Sequence, residues 1–243
     1  MKRLVALLVL ALAACSPTPP GLTRSSTAPS TSAEPDQANQ VREVFSDYTK
    51  ALGAKNGDAV AAVMTSDAIA RWETYRVHAL KSTDADLASL PVIERAFVYS
   101  LRATAGPSLG TATGRTVLIT AVQQGLITLS LSTRRLNDDG TITAGKEAKP
   151  VLKNLVLGTG TATAELASDD PTAPEIPQSF KFTFLREGEN WKIDPVGVTE
   201  LAAFTLEQLA KLKGMTADQF VIESYTAQYG AARVAEIRQP LGG

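Results

Sequence analysis

The chain of 243 residues contains only one cysteine, Cys15, and only one histidine, His78. A single cysteine cannot form an intramolecular disulfide, and one histidine with one cysteine cannot form a His/Cys metal cluster. We therefore expect no metal and no cofactor, and a fold that is stabilised by an ordinary hydrophobic core.

The chain also has no excess of basic residues over acidic ones. The chain has 24 Lys and Arg residues against 25 Asp and Glu residues, a formal net charge of −1. Proteins that bind nucleic acids usually carry a basic surplus or a basic patch. The sequence therefore predicts no nucleic-acid partner.

No apolar run is long enough to cross a bilayer. The longest one, residues 4–14, consists of Leu, Val and Ala, whereas a transmembrane helix needs ~20 apolar residues. Lys2 and Arg3 precede this run, and small residues end it. A basic start, a short apolar segment and small residues at its end are typical of a secretory signal.

The sequence LAAC at residues 12–15 resembles the lipobox of bacterial lipoproteins. The resemblance implies that residues 1–14 are a signal peptide, that a diacylglyceryl group is attached to the sulfur of Cys15, and that the new amino terminus is acylated, as with palmitate. Two or more acyl chains anchor a protein stably. We expect the protein on the cell membrane or outer membrane with its folded part outside the cytoplasm. A plain secretory signal with a chance cysteine is the alternative.

A disordered tether is predicted directly after Cys15. Of residues 16–35, fifteen are Pro, Ser, Thr or Gly, and only Leu22 is large and apolar. Such a segment cannot bury enough surface to offset the entropy lost on ordering. Residues 15–35 would extend roughly 60 Å at most.

Helices are predicted in the first half of the folded part. Apolar residues at helical spacing predict a helix over residues 36–53 and further helices around residues 58–64, 67–81 and 90–103. We expect Asn56 or Asp58, Thr65 or Ser66, and Ser89 to cap three of these helices. Residues 114–125 are ambiguous between helix and strand, and we favour helix.

Strands are predicted after Gly125, followed by helices again. Segments rich in β-branched and aromatic residues cover 126–136, 151–158, 161–168 and 179–198. Phe180, Phe182 and Phe184 alternate with polar residues, which is typical of a strand with one buried face. Helices are expected over 199–214, 216–230 and 231–238, with a capping box formed by Thr216 and Gln219. Helices, antiparallel strands and helices in this order predict an α+β fold.

The closing hairpin FTFLREGENWKIDPV and the opening helix pair DYTKALGAKNGDAVAAVMTSDA resemble the nuclear transport factor 2-like superfamily, which includes ketosteroid isomerases and polyketide cyclases. The resemblance implies a cone-shaped roll of amino-terminal helices against a curved antiparallel sheet that encloses a pocket. It gives a domain over residues 36–198 and a carboxy-terminal helical extension over 199–243.

No catalytic residue is assigned from the sequence. GPSLG at residues 106–110 matches G-x-S-x-G, but a nucleophile elbow needs a strand before the serine and a histidine after it, and His78 precedes Ser108. An isomerase would need a carboxylate base and an opposing acid. Asp67, Glu73 and Tyr99 are conceivable, but no pattern places them.

Aromatic residues along the predicted elements indicate a pocket or a hydrophobic core. With Trp72, Tyr75 and His78 expected on one helix face, the residues that we expect to line a pocket are Trp72, Tyr75, His78, Phe97, Phe182 and Trp191. The hypothesis that follows is a lipid-anchored envelope lipoprotein with a non-catalytic domain that binds a protein partner or envelope component. The alternatives are a binder of a small apolar ligand and a ketosteroid isomerase-like or cyclase-like enzyme.

Overall fold

A computed structural model describes residues 34–129, 134–136, 142–144, 148–170 and 180–242. The described chain is an α+β fold, as predicted, in which helices precede and follow a four-stranded antiparallel sheet. The predicted domain boundary between residues 198 and 199 falls inside a helix, Val196–Leu212.

The first half of the described chain is helical. Its elements are α1 (Glu34–Gly53), α2 (Gly57–Val63), α3 (Ser66–Lys81), α4 (Asp84–Leu87), α5 (Val92–Thr104), a 3-10 helix (Gly106–Gly110) and α6 (Gly114–Gln123). The preference for a helix over 114–125 is confirmed. The 3-10 helix and α4 are too short for a periodic apolar pattern to reveal them.

Short polar side chains set several helix starts. The carboxamide of Asn56 accepts a hydrogen bond from the amide of Ala59, and the Thr65 hydroxyl accepts one from Ala68. These contacts satisfy amides that have no partner within the helix. The predicted cap at Ser89 is wrong, because α5 begins after Pro91 without a side-chain cap, and the Ser89 hydroxyl donates to the carbonyl of Asp86 instead.

The main sheet contains β3 (Pro150–Leu157), β4 (Thr161–Ser168), β5 (Lys181–Glu187) and β6 (Asn190–Asp194), paired in that order. Phe182 and Phe184 are buried, whereas Lys181 is exposed, as the alternating pattern predicts. The inner face of the sheet packs on α1, where the rings of Phe45 and Phe182 lie 5.1 Å apart.

A separate two-stranded ribbon joins β1 (Arg134–Leu136) to β2 (Ile142–Ala144). The prediction of a strand over residues 126–136 is therefore correct only for its last three residues within the described chain, since 126–129 form bends and coil. Residues 130–133 lie outside the described residues.

Three helices follow the sheet: α7 (Val196–Leu212), α8 (Ala217–Tyr229) and α9 (Ala231–Ile237). The capping box of Thr216 and Gln219 is confirmed at the start of α8. Gly197 brings α7 so close to β5 that a Cβ atom on it would lie 1.9 Å from the carbonyl oxygen of Lys181. This contact fixes the start of α7 beside α3 and α5.

Candidate functional site

A cleft of about 70 Å³ lies between α3, α5, the segment 126–128 and the first turns of α7. It is open to the surface on one side and is lined mainly by apolar and aromatic side chains. The lining residues are Tyr48, Met64, Ala68, Arg71, Trp72, Tyr75, Ile93, Phe97, Leu126, Ile127, Thr128, Pro195, Val198, Thr199 and Ala202.

Three aromatic rings form one wall of this cleft. Trp72 and Tyr75 stand three residues apart on α3, and residues at this spacing are neighbours on a helix surface. Their ring centroids are 5.4 Å apart in an edge-to-face arrangement, and Phe97 from α5 lies 5.4 Å from Trp72 and 5.8 Å from Tyr75. Such aromatic pairs stabilise one another beyond the burial of their area, so the wall is a preformed surface.

Arg71 is the only charged residue among the described residues that line the cleft. Its side chain is half-buried, and it makes no hydrogen bond or ion pair with any described residue. The guanidinium group therefore presents its N–H donors to solvent or to a ligand.

The phenol of Tyr75 is neutral at physiological pH. Its side chain is buried, and desolvation is the main cause that raises its pKa; the neighbouring charge of Glu94 raises the pKa further, while that of Arg71 opposes the rise. Burial likewise raises the pKa of Tyr48. Both side chains thus offer the cleft an uncharged ring.

The structure brings together three of the six residues that we expected to line a pocket, namely Trp72, Tyr75 and Phe97. His78 lies elsewhere on α3, and its Nδ1 atom is 2.8 Å from the hydroxyl of Ser82. The expectation that His78 shares a face with Trp72 is wrong, because six residues are about one and two-thirds helical turns. Ala79, about two helical turns after Trp72, lies on the same face as Trp72 and is fully buried.

Phe182 and Trp191 are also absent from the cleft wall. Both are buried on the inner face of the sheet, where Phe182 packs against Phe45 and Tyr48. The Trp191 indole Nε1 is buried and has no hydrogen-bond partner in the described part of the chain. Phe182 and Trp191 therefore belong to the hydrophobic core and do not line the cleft as we expected. A core position is the alternative that the sequence had left open.

Ser108, in the 3-10 helix, has none of the surroundings of a catalytic nucleophile. The helix α5 precedes it, and its hydroxyl donates a hydrogen bond of 2.7 Å to the carbonyl of Ala105. Asp67 is exposed, Glu73 forms an ion pair with Arg76, and the Tyr99 hydroxyl donates to Asp84. None of these residues lines the cleft.

The described ranges contain no group of three or more His, Cys, Asp or Glu side chains that could hold a metal ion. The cleft itself offers one guanidinium, hydroxyls and apolar carbon atoms. Such a surface can bind an apolar group and orient a polar group beside it, because ligand sites combine an apolar wall with a few placed polar groups.

Sequence patterns did not reveal that Arg71 lines the cleft, nor that residues of α7 and of the segment 126–128 line it. The start of α7 presents one face at helical spacing, formed by Pro195, Val198, Thr199 and Ala202. This spacing is the sequence signal from which these residues could have been found. What no local pattern shows is that this face packs opposite α3, about 120 residues earlier in the chain.

Cys15, the signal peptide and the tether over 15–35 lie outside the described residues, except for the start of α1 at Glu34. Within the described part of the chain, no helix combines the length and the apolar character that a membrane span requires. No protein-family model, curated protein or solved structure matches the chain.

Proposed function

We propose that this protein is a lipid-anchored binding protein of the cell envelope, and that its folded domain binds an apolar group in the cleft between α3, α5 and α7. The lipobox at residues 12–15 and the Pro- and Ser-rich segment after it support the anchor and the tether. An anchored module on a tether of this length reaches components away from the membrane surface.

The observation that carries the binding function is the aromatic wall of the cleft. Trp72, Tyr75 and Phe97 are held against one another on rigid helices rather than on loops. An apolar surface that is already ordered binds with a smaller entropic cost than one that must be ordered by the ligand.

The size of the cleft limits what it holds. Pockets for complete small-molecule ligands usually measure about 300–1,000 Å³, whereas this cleft measures about 70 Å³. An engineered cavity of about 150 Å³ holds benzene. The cleft therefore takes a short or branched apolar group, such as the end of a ligand whose remainder lies outside, and not a whole steroid.

A non-catalytic role agrees with the chemistry of the cleft wall. A ketosteroid isomerase-like reaction requires a carboxylate base that faces the substrate, and the described lining residues include no carboxylate. The order of elements, with helices before an antiparallel sheet that ends in the β5–β6 hairpin, supports a nuclear transport factor 2-like domain. We propose this fold family for the binding domain.

The test is recovery of the bound molecule from the full chain. We expect mass spectrometry of solvent extracts to find a co-purifying small molecule with the wild-type protein. Ala202→Leu places extra carbon atoms in the cleft and should remove that molecule. Ala203→Leu is the matched control, because Ala203 is the next residue, is equally half-buried and does not line the cleft.

Absence of any bound molecule from freshly purified wild-type protein would contradict the proposal. Equal recovery from the wild type and from Ala202→Leu would also contradict it, since the molecule would then be bound elsewhere.

A further inference from the structure

The guanidinium of Arg71, which has no partner among the described residues, indicates which chemistry the cleft recognises beside an apolar group. Other arginines of the helical layer are engaged. Arg76, five residues later on α3, pairs with Glu73; Arg95 pairs with Asp218; and Arg238 pairs with Asp84. Arg71 makes no such pair with any described residue, although it lines the cleft.

The charges around Arg71 leave its guanidinium available. Within the described lining no carboxylate competes for it. A negative charge that acts on the aromatic wall is that of Glu94 on α5, which interacts with the hydroxyl of Tyr75. Glu94 does not line the cleft and does not form an ion pair with Arg71.

A carboxylate fits this arrangement better than any neutral group. The planar fork of a guanidinium matches the two oxygen atoms of a carboxylate and can donate two parallel hydrogen bonds. Arg71 lines the same cleft as Trp72 and Tyr75, so an apolar chain in the cleft would place an acid at its end next to Arg71.

Building on the proposed function, we propose that the cleft binds a small organic carboxylate, with its short apolar group against Trp72, Tyr75 and Phe97 and its carboxylate on Arg71. The apolar wall supplies contact area, and the guanidinium selects the anion over neutral molecules of the same shape. This is a site for a free acid rather than for a membrane lipid or a protein.

The experiment compares hexanoate with hexanamide, which has the same chain and no charge. The full chain is reconstituted in lipid nanodiscs and carries Trp191→Phe, which leaves Trp72 in the cleft as the only tryptophan. This change removes an indole N–H that has no hydrogen-bond partner among the described residues. Binding is followed through the fluorescence of Trp72.

We expect hexanoate to bind about tenfold more tightly than hexanamide, the ratio that one charge-assisted hydrogen bond provides. Arg71→Gln should remove this preference, Arg71→Lys should retain part of it, and Glu94→Gln should strengthen hexanoate binding alone. Arg233→Gln is the matched control, because Arg233 is exposed on α9 and should leave both affinities unchanged.

Equal binding of hexanoate and hexanamide that Ala202→Leu abolishes would overturn the carboxylate preference but leave the cleft as a binding site. Persistence of the preference in Arg71→Gln would also overturn it. Binding of neither compound would contradict both proposals. Binding of a leucine-terminated tripeptide at least tenfold more tightly than hexanoate would assign the cleft to a protein terminus and overturn the free-acid proposal.

Discussion

The Nε atom of Arg102, on α5, donates a buried hydrogen bond of 3.0 Å to the carbonyl oxygen of Ala79 at the end of α3. The same guanidinium donates to the carbonyls of His78 and Ser82 at that helix end and to those of Ile237 and Arg238 at the end of α9. The last carbonyls of a helix have no partner within it and carry its negative dipole end. Arg102 therefore holds the carboxyl-terminal ends of α3 and α9 together.

Arg102→Leu should destabilise the protein by about 3 kcal/mol or more, because several buried carbonyls lose a charged donor at once. Arg102 is only 1% exposed, so water cannot replace the donor without a local rearrangement. Chemical denaturation monitored by circular dichroism measures the change in the free energy of unfolding.

Arg233→Leu on α9 is the control for this prediction. Arg233 is exposed and pairs with Glu236, three residues later, and such pairs contribute about 0.2–1 kcal/mol. If Arg102→Leu proved as mild as Arg233→Leu, the bridging role of Arg102 would be wrong.

Asp84 should make the stability depend on pH at the acidic end. Partial burial raises the pKa of its carboxyl, but hydrogen bonds from Arg238 and Tyr99 outweigh burial and lower the pKa below its ordinary value. Because the pKa is lower in the folded state, the stabilisation is present above the unfolded pKa, about 3.9, and is lost as the pH falls through the folded value.

We expect Asp84→Asn to cost about 1 kcal/mol at neutral pH, since the pair with Arg238 is partly exposed. The difference from the wild type should shrink below a pH of about 4. Unfolding measured from pH 7 to pH 3 tests this, with the exposed Asp47 changed to Asn as the control. A difference that stays constant over this range would contradict the prediction.

Local patterns predicted much of the fold because they report local physics. Thr216 and Gln219 predicted a helix start, since their side chains satisfy amides three residues away. Phe182 and Phe184 predicted a strand, since its side chains alternate between two faces. Ser89 failed as a cap because Pro91 sets the start of α5 without a side-chain acceptor.

The cleft was predictable only in part. Trp72 and Tyr75 share one helix and therefore one wall, and Phe97 is a large ring on the helix that packs beside it. Sequence spacing cannot show that the start of α7 packs opposite them, and it cannot show that Arg71 has no partner among the residues that the structure describes. Both facts depend on contacts between residues far apart in the chain.

Gly197→Ala should disturb both the stability and the cleft. A Cβ atom at this position would lie 1.9 Å from the carbonyl oxygen of Lys181, so α7 or β5 would have to move. We expect a loss of about 2–3 kcal/mol, within the range seen when extra atoms enter a packed interior. The start of α7 carries Pro195, Val198 and Thr199 in the cleft wall, so ligand binding should weaken as well.

Gly53→Ala is the matched control, because Gly53 lies in the last turn of α1 and nothing stands within 4 Å of an added Cβ atom. An alanine that fits its backbone stabilises a protein by about 0.4–1 kcal/mol. Thermal unfolding of both variants measures their stability and tests the prediction for Gly197→Ala. Equal stability of Gly197→Ala and the wild type would show that the close contact with Lys181 does not constrain the fold.

Cys15→Ala should abolish the membrane anchor. The lipobox resemblance makes the Cys15 sulfur the point of diacylglyceryl attachment, and alanine offers no sulfur for that bond. We expect an unprocessed or mislocalised precursor, recognised by the higher mass of the retained residues 1–14 or by loss of the protein from the membrane fraction. Ser16→Ala, which changes the next residue and leaves the thiol, should be processed normally. Normal processing and membrane binding of Cys15→Ala would overturn the anchor, and the tethered binding protein proposed above would then need another means of reaching the envelope.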